Sequence, residues 1–462
     1  MDGWHLADFP ATIDSPDAAA RPGPDAGPDA DHDAGLEPGQ DHTDPEPALG
    51  TQWRGTRGPL FRLTLWTGLL TILTLGLYRF WARTRVRRWY WSAIRPGGFP
   101  LEYTGTPYEK LLGFLVAVVI LAFYIGVVNL ILMFVSFSLL SAPGLAYGLT
   151  LLGVAPLWFF ATYRAQRYLL ARTRWMGIRF GLEPGAWRYA LLASWHWGLT
   201  LLTLGAWHPR LRFALARYRH DRMWFGTQKL SQGGDWRMLY PAYAHVLIGG
   251  TLTLGTLFIT VSDVNAFFLG LEAEDLGQVA PITPFWQMFG IGIPWLLYGL
   301  VHYSVESRRL LVSHLSVGAV GLLPRPRVSW VLWIAISGNL LRYAALFALI
   351  LAAAFALLGL ALVAGATLEQ LEGDDPMVLL RIIGGGLPDW VPIAMTALFY
   401  FGIFLLWNVL THVFLTMPTW RHYAATLGIT GPGKLSSIAQ RARDESREAG
   451  GFAEALDVGA AI

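Results

Sequence analysis

The chain has 462 residues, of which 54% are hydrophobic, 15% are charged and 21 are tryptophan. Several apolar runs approach or exceed the ~20 residues that a helix needs to cross a bilayer, so the composition predicts a multispanning membrane protein. The absence of cysteine excludes disulfide bonds, thiolate nucleophiles and thiolate metal sites.

The net charge of +3 is the sum of an acidic segment, the first 50 residues, and a basic remainder of the chain. The first 50 residues carry twelve acids and one base, a net −11, so the remaining residues carry a net +14. A segment so rich in Asp, Pro, Gly and Ala buries too little apolar surface to offset the entropy of ordering. We therefore predict a disordered acidic cytoplasmic tail over 1–53, which is either a solubilising segment or an autoinhibitory strap on a basic face.

Two similar apolar segments follow, "LLTILTLGLYRFW" from Leu69 and "GLTLLTLGAWHPR" from Gly198. Arginines flank both copies, and Lys/Arg-rich loops favour the cytoplasm, so each segment is expected to enter and leave by the same face. Each is then either a re-entrant helical hairpin that bends at the Thr/Gly region or a helix lying in the membrane interface. A full crossing is the remaining alternative.

Further apolar stretches predict full spans in three hairpins, at 110–134, 146–163, 241–262, 285–305, 334–363 and 391–415. Arginine clusters follow the second, fourth and sixth spans, whereas acidic residues fill the links within the last two pairs. All three pairs then run in–out–in. The predicted fold class is an all-α polytopic membrane protein with about six full spans plus the two Thr-Leu-Gly segments, or with eight spans if those segments cross.

Short stretches that alternate bulky residues and end in glycine follow the basic segments: "GGFPLEYTGT", "GIRFGLEPG" and "MWFGTQKLSQGG". They predict small cytoplasmic β-hairpins. The recurring order of membrane segment, basic stretch, hairpin and next span is typical of an internal repeat. It predicts membrane repeat units at 54–185, 186–328 and 329–430, followed by a cytoplasmic C-terminal tail at 431–462.

The run "TLGLYRFWARTRVRRWYW", continuing into "GGFPLEYTGTPYEKLLGFL", resembles the YjgN-like family of bacterial inner-membrane proteins, a domain of unknown function. The second copy, "LTLGAWHPRLRFALARY", and the ending "GGFAEALDV" are similar to the same pattern, so the resemblance covers roughly 54–462. The sequence departs from the pattern at His208 and in its last third, which lacks a clear Thr-Leu-Gly element. The resemblance implies the bacterial inner membrane and a repeat architecture, without an established activity.

Signatures of catalysis do not occur in the sequence. It has no metalloprotease helix, phosphate loop or dinucleotide fingerprint. We therefore expect no enzymatic activity, no cofactor and no metal site. Ionisable residues at membrane depth are candidates for function because their burial is costly. The sparse examples, His245, His302 and His412, lie near predicted interfaces, where a hydrogen-bonded or solvated histidine is the simpler interpretation.

Arginines interleaved with aromatic side chains give the strongest functional signal. On a cytoplasmic segment beside the membrane, this pattern predicts attraction to anionic headgroups rather than to nucleic acid. We predict one basic cytoplasmic face that binds anionic lipid or another anionic ligand, formed by Arg83, Arg85, Arg87, Arg88, Arg212 and Arg217.

A polar site is also predicted where the two Thr-Leu-Gly segments approach each other. Threonines three residues apart share a helix face, and the following glycine permits a break whose freed amides can face an anion. The simpler interpretation is that small residues allow close packing while the hydroxyls bond their own backbone carbonyls. The residues concerned are Thr71, Thr74, Gly76, Thr200, Thr203 and Gly205.

Two classes of function remain open. The first is transport or lipid handling at the basic cytoplasmic face, because transporters place interrupted half-membrane segments at a binding site. The alternative is a non-catalytic membrane scaffold that binds anionic lipid or a protein partner. The expected partners are anionic membrane lipids and not nucleic acid, and the expected location is the bacterial inner membrane, multi-pass, with both termini cytoplasmic.

Overall fold

The computed structural model describes four stretches of the chain, residues 48–139, 143–268, 288–363 and 390–441. Several predicted features lie outside these stretches. They are the acidic tail up to residue 47, the acidic links that carry Glu272, Glu274 and Glu369, and the C-terminal residues from 442 onwards, which include the "GGFAEALDV" ending.

Helices make up most of the described chain. In order they are α1 (Arg57–Leu73), α2 (Arg79–Ala93), α3 (Pro107–Phe123), α4 (Asn129–Phe134), α5 (Pro143–Ala171), α6 (Ala186–Leu202), α7 (His208–His220), α8 (Tyr240–Phe268), α9 (Ile293–Ser313), α10 (Val328–Val363), α11 (Trp390–Leu410) and α12 (Met417–Ala425). Wider π-helical turns occur at Tyr124–Val128, Val135–Leu139, Met288–Gly292 and Thr411–Thr416, and 3₁₀ turns at Trp236–Leu239 and Pro432–Ser437.

The strands of the described residues are short and join into a single sheet. They are β1 (Leu49–Trp53), β2 (Ile94–Pro96), β3 (Leu101–Tyr103), β4 (Thr173–Trp175), β5 (Ile178–Leu182), β6 (Met223–Phe225), β7 (Gln228–Gln232), β8 (Leu315–Val317), β9 (Val320–Pro324) and β10 (Leu427–Thr430). All neighbours are antiparallel, in the order β2-β1-β10-β9-β8-β7-β6-β5-β4-β3. The two end strands, β2 and β3, are consecutive in the chain, so the sheet curls into a nearly closed barrel.

The barrel is assembled from helix–strand-pair units. The pairs β2–β3, β4–β5, β6–β7 and β8–β9 each follow a helix, namely α2, α5, α7 and α9. The strand β10 follows α12 and takes β1 from the other end of the chain as its partner, with Leu49 opposite Ile429. Across the seam, Trp175 Nε1 donates a hydrogen bond to the Pro96 carbonyl at 3.2 Å.

The interior of the barrel is a packed apolar core. Trp175, Phe225, Leu230 and Leu315 are buried there together, and Ile438 from the C-terminal segment packs against them. The Thr227 amide donates to the Ala439 carbonyl at 2.9 Å, which fixes that segment over one end of the sheet. The interior is thus a structural core that positions the helices around it.

The predicted all-α class is wrong, because this ten-stranded sheet is a principal element of the fold. The predicted separate hairpins do contain strands, as at Leu101–Tyr103 and Ile178–Leu182. Their neighbours in the sheet, however, come from distant parts of the sequence. Local alternation of bulky residues indicates a strand but carries no information on which remote strand pairs with it.

The predicted count of six or eight spans is also wrong. In the described residues, three helices are long and apolar enough to cross a membrane: Trp236–Ile259, Val328–Gly359 and Thr396–Ala425. At 110–134 the structure has α3, the π-helical turn Tyr124–Val128 and α4, and this stretch is not among the three. Apolar composition alone does not show which stretches fold as one long apolar helix, so the sequence predicts too many spans.

Candidate functional site

Each Thr-Leu-Gly segment folds as two helices joined by a tight turn. In the first hairpin, Gly76 N donates to Thr71 O at 2.7 Å and Leu75 N donates to Ile72 O at 3.0 Å. These are the two hydrogen bonds of a Schellman motif, which ends a helix with a residue in the left-handed region. The residue in that position is Leu75, at φ +50°.

The second hairpin has the same turn. Gly205 N donates to Thr200 O at 2.7 Å, and Leu204 N donates to Leu201 O at 3.1 Å. Leu204 also has φ +50°. The glycine amides of both turns are therefore bonded to the backbone of the preceding helix.

The turn threonines connect the two helices of each hairpin. Thr74 Oγ1 donates to Leu70 O at 2.7 Å and accepts from Tyr78 N at 2.9 Å. Thr203 Oγ1 donates to Leu199 O at 2.8 Å and accepts from Trp207 N at 3.1 Å. Both hydroxyls cap the turn.

The two hairpins pack against different helices. The α1–α2 hairpin packs on α11 and on the π-helical turn Thr411–Thr416, whereas α6 packs on α5. The second turn also accepts hydrogen bonds from α8, from Tyr240 Oη to Ala206 O and from Tyr243 Oη to Gly205 O. The six predicted turn residues thus form two turns in different surroundings.

A cavity of about 410 Å³ lies between α1, α2 and α11. This volume is in the range of small-molecule sites. Its lining residues are Thr64, Thr67, Gly68, Thr71, Ile72, Arg79, Ala82, Arg83, Val86, Phe401, Phe404, Leu405, Asn408 and His412. Two residues predicted for different sites, Thr71 and Arg83, are therefore brought together.

The lining of this cavity is divided chemically. The hairpin contributes two arginines, Arg79 and Arg83, while α11 contributes two phenylalanines, Phe401 and Phe404. Guanidinium groups match the oxygens of phosphates and carboxylates in a bidentate fashion. A cavity with cationic and aromatic parts fits a ligand that has an anionic group and an apolar body.

His412, which lines the cavity, is in contact with Tyr90. The Tyr90 hydroxyl lies 3.3 Å from His412 Nδ1. Tyr90 is fully buried, and this burial raises its pKa well above the usual value, so the group remains a neutral phenol. The sequence shows His412 and Asn408 as polar residues in an apolar span, but not that α2 faces them.

The six predicted arginines are distributed over several environments. Arg83 lines the cavity, and Arg85 lies with its guanidinium carbon 5.8 Å from the Tyr78 ring centre. Arg87 is buried between Trp91 and Tyr103, at 5.7 and 5.4 Å from the two ring centres. These three arginines all belong to α2, but each has different surroundings.

The other three arginines have separate partners. Arg88 Nη2 donates to Gly105 O at 3.1 Å. Arg212 lies 5.2 Å from the Tyr303 ring centre, and Arg217 forms an exposed ion pair with Asp221 at 3.4 Å. Arg83 is the predicted arginine that shares a cavity with a predicted threonine.

Lys110 is a buried lysine beside Arg87 that no sequence motif marks. It is 1% exposed, and its Nζ lies 5.0 Å from the Tyr103 ring centre. The adjacent carboxylate, Glu109, accepts from Tyr168 Oη at 2.8 Å and pairs with Arg172 at 3.0 Å. Burial, followed by the charge of Arg87, lowers the pKa of Lys110 to about 6.

Stability is expected to rise with pH between about 6 and the usual lysine range because of Lys110. In that interval the unfolded chain binds a proton that the folded chain does not, since the folded pKa of Lys110 is the lower one. One such proton contributes at most about 1.4 kcal/mol per pH unit. Thermal unfolding at pH 6.5 and pH 9 measures the difference, which Lys110→Met should reduce and Lys434→Met, at an exposed lysine, should not. An equal pH dependence in the wild type and in Lys110→Met would contradict this prediction.

Comparison with known proteins identifies a family for most of the chain. A family model described as a bacterial protein of unknown function (DUF898) matches residues 48–455. No curated protein and no solved structure matches the chain. The bacterial family of unknown function expected from the "TLGLYRFW" run is thereby found, while its YjgN-like name stays a prediction.

Proposed function

The chain belongs to the DUF898 family of bacterial proteins, whose function is unknown, and we propose that it is a membrane protein that binds and handles an anionic lipid. The binding site is the cavity between α1, α2 and α11. One observation carries the proposal. The same cavity of about 410 Å³ is lined by Arg79 and Arg83 and by apolar side chains of α11. No enzymatic step, cofactor, metal or nucleic acid is part of the proposal.

A membrane location is supported by the apolar surface of the protein. In the part of the chain that the structure describes, three helices are long and apolar enough to cross a bilayer. Leu75 and Leu204, at the hairpin turns, are 94% and 85% exposed. Exposed apolar side chains in such number favour contact with lipid over contact with water.

The proposal includes a location in the inner membrane, with both termini in the cytoplasm. β1 and β10 pair through Leu49 and Ile429, so the two ends of the described chain lie on the same side of the molecule. Arginines are concentrated in the helices next to the sheet, such as α2 and α7. By the positive-inside rule, this distribution of arginines supports the proposal that the sheet and both termini are cytoplasmic.

Removing either of the two cavity arginines is expected to weaken the binding of anionic lipid at the cavity. A charge-assisted hydrogen bond contributes about 1.5–3 kcal/mol, so each of Arg79→Gln and Arg83→Gln should weaken binding about tenfold or more. The measurement is retention of phosphatidylglycerol against phosphatidylcholine by the purified full-length protein. Arg62→Gln is the matched control, since Arg62 is an exposed arginine of α1 outside the cavity lining.

A cavity-filling variant tests the same site without removing a charge. Ala82 lines the cavity, so Ala82→Leu should reduce its volume and also lower phosphatidylglycerol retention. Wild-type retention in Ala82→Leu and in the double arginine variant would exclude the cavity as the lipid site.

The alternative function is a non-catalytic membrane scaffold. It is favoured by the barrel, whose apolar interior is packed around Trp175 and Phe225 and so gives a rigid platform. Lipid exchange between proteoliposomes distinguishes the two functions. If the protein handles lipid, phosphatidylglycerol should exchange faster with the wild type than with Arg79→Gln or Arg83→Gln. If the protein is a scaffold, the exchange rates should not differ.

A further inference from the structure

Arg342 lies inside α10, at one edge of its most apolar part. The 21 residues from Tyr343 to Val363 contain no charged side chain. At 1.5 Å per residue they extend over about 32 Å, which matches the ~30 Å of a hydrocarbon core. With this stretch in the hydrocarbon core, Arg342 lies at the level where hydrocarbon gives way to headgroups.

Aromatic residues mark the same level on both helices. The guanidinium carbon of Arg342 lies 3.6 Å from the Trp407 ring centre and 5.1 Å from that of Tyr343. Tryptophan and tyrosine are enriched at membrane–water interfaces because their rings are apolar and carry a polar group. Trp407 and Tyr343 are 36% and 56% exposed, so these residues reach the surface of the protein beside the guanidinium.

Two polar side chains hold the guanidinium in a defined orientation. Arg342 Nη1 donates to Thr411 Oγ1 at 3.1 Å, and Nη2 donates to Asn339 Oδ1 at 2.6 Å. Both partners donate their own hydrogens to backbone carbonyls. Thr411 Oγ1 donates to Trp407 O at 2.6 Å, and Asn339 Nδ2 donates to Ala335 O at 2.7 Å. Their oxygens are therefore fixed as acceptors for Arg342.

The charge of Arg342 has no counter-ion in the described residues. Arg342 is 8% exposed, and its contacts with Asn339, Thr411, Tyr343 and Trp407 are all to neutral groups. Its Nε is buried without a hydrogen-bond partner in this part of the structure. A buried cation without an anion is unfavourable, since desolvation is not offset.

We propose that Arg342 binds the phosphate group of an anionic phospholipid at the boundary between α10 and the helix Thr396–Ala425. The Nε–H and the second hydrogen of Nη2 form the edge of the guanidinium that pairs side-on with two phosphate oxygens. Asn339 and Thr411 orient this edge. The acyl chains then lie along the apolar surface of α10, where Phe347 is exposed.

This site is separate from the cavity of the proposed function. Trp407 and Thr411 contact Arg342 on α10, whereas Asn408 and His412 line the cavity toward α1 and α2. The two sites are thus on different sides of one helix. The Arg342 site stands whether or not the cavity binds lipid.

The test uses the full-length protein in nanodiscs of phosphatidylcholine that contain a small fraction of phosphatidylglycerol. Native mass spectrometry counts the retained phosphatidylglycerol molecules. Arg342→Gln should lose one of them and bind the lipid about tenfold more weakly, because a charge-assisted pair is removed. Arg327→Gln, at an exposed arginine just before α10, should retain it.

Asn339→Asp tests the site with Arg342 left in place. The new carboxylate would pair with the guanidinium, as Asn339 Oδ1 already accepts from it. It should therefore displace the lipid and make the protein more stable in lipid-free detergent. Full phosphatidylglycerol retention in both Arg342→Gln and Asn339→Asp would overturn the proposal. So would equal occupancy of the site by inorganic phosphate alone, because that result assigns it to a free anion.

Discussion

Gly249→Ala is expected to destabilise the protein by about 1–3 kcal/mol, the usual cost of overpacking a well-packed contact. A β-carbon on Gly249 of α8 would lie 2.7 Å from Leu296 Cα and 2.9 Å from the Trp295 carbonyl carbon, both in the backbone of α9. Backbone atoms cannot turn aside as a side chain can. The two helices would have to separate.

The neighbouring Gly250 supplies a matched control. A β-carbon there would meet no atom within 4 Å, and alanine is the better helix former, so Gly250→Ala should be neutral or slightly stabilising. Thermal unfolding of both variants in the same detergent makes the comparison. Equal unfolding temperatures would mean that α8 and α9 are not in backbone contact at this point.

Gly226→Ala is expected to cost about 2–5 kcal/mol by two effects. Gly226 forms the turn between β6 and β7 at φ +55°, where alanine is strained by about 1–2 kcal/mol. A β-carbon would also contact the Ala439 carbonyl oxygen and would lie 2.8 Å from Ile178 Cγ2. This overlap adds about 1–3 kcal/mol because the C-terminal segment must move away from the barrel.

The corresponding turn between β4 and β5 separates the two effects. Gly177 has φ +76° and open space around its missing β-carbon, so Gly177→Ala carries the backbone strain alone. Hydrogen exchange at the Thr227 amide, which donates to Ala439 O, measures the loss of the C-terminal contact. Exchange should be faster in Gly226→Ala only. Similar exchange rates in the two variants would show that the contact with Ala439 does not hold the segment in place.

Part of the fold is readable from the sequence because it depends on local patterns. The structure turns at Leu75–Gly76, in the Thr/Gly region where a bend is predicted, because glycine tolerates positive φ. Strands occur where bulky residues alternate, as at Ile178–Leu182. The barrel is not readable in this way, since the pairing of Leu49 with Ile429 depends on chain segments that only the complete fold brings together.

The candidate sites show the same limit. Thr71 and Arg83 carry separate sequence signals, and their common cavity depends on how α1 and α2 pack on α11. Arg342 is a single charge in a predicted span of thirty residues, so averaged hydropathy does not reveal it. An individual search for ionisable residues in apolar spans would have found Arg342, although not its contact with Trp407.

The position of β10 links folding to the order of synthesis. β10 is the last described strand and pairs with both β9 and β1. β1, which begins at Leu49, therefore cannot pair with β10 until residues 427–430 have left the ribosome. During that time the edges of β1 and β9 are unpaired, and unpaired edges are templates for aggregation. The nascent chain must keep these edges apart from other chains while all the intervening helices are placed, and it completes the sheet only once residues 427–430 have been synthesised.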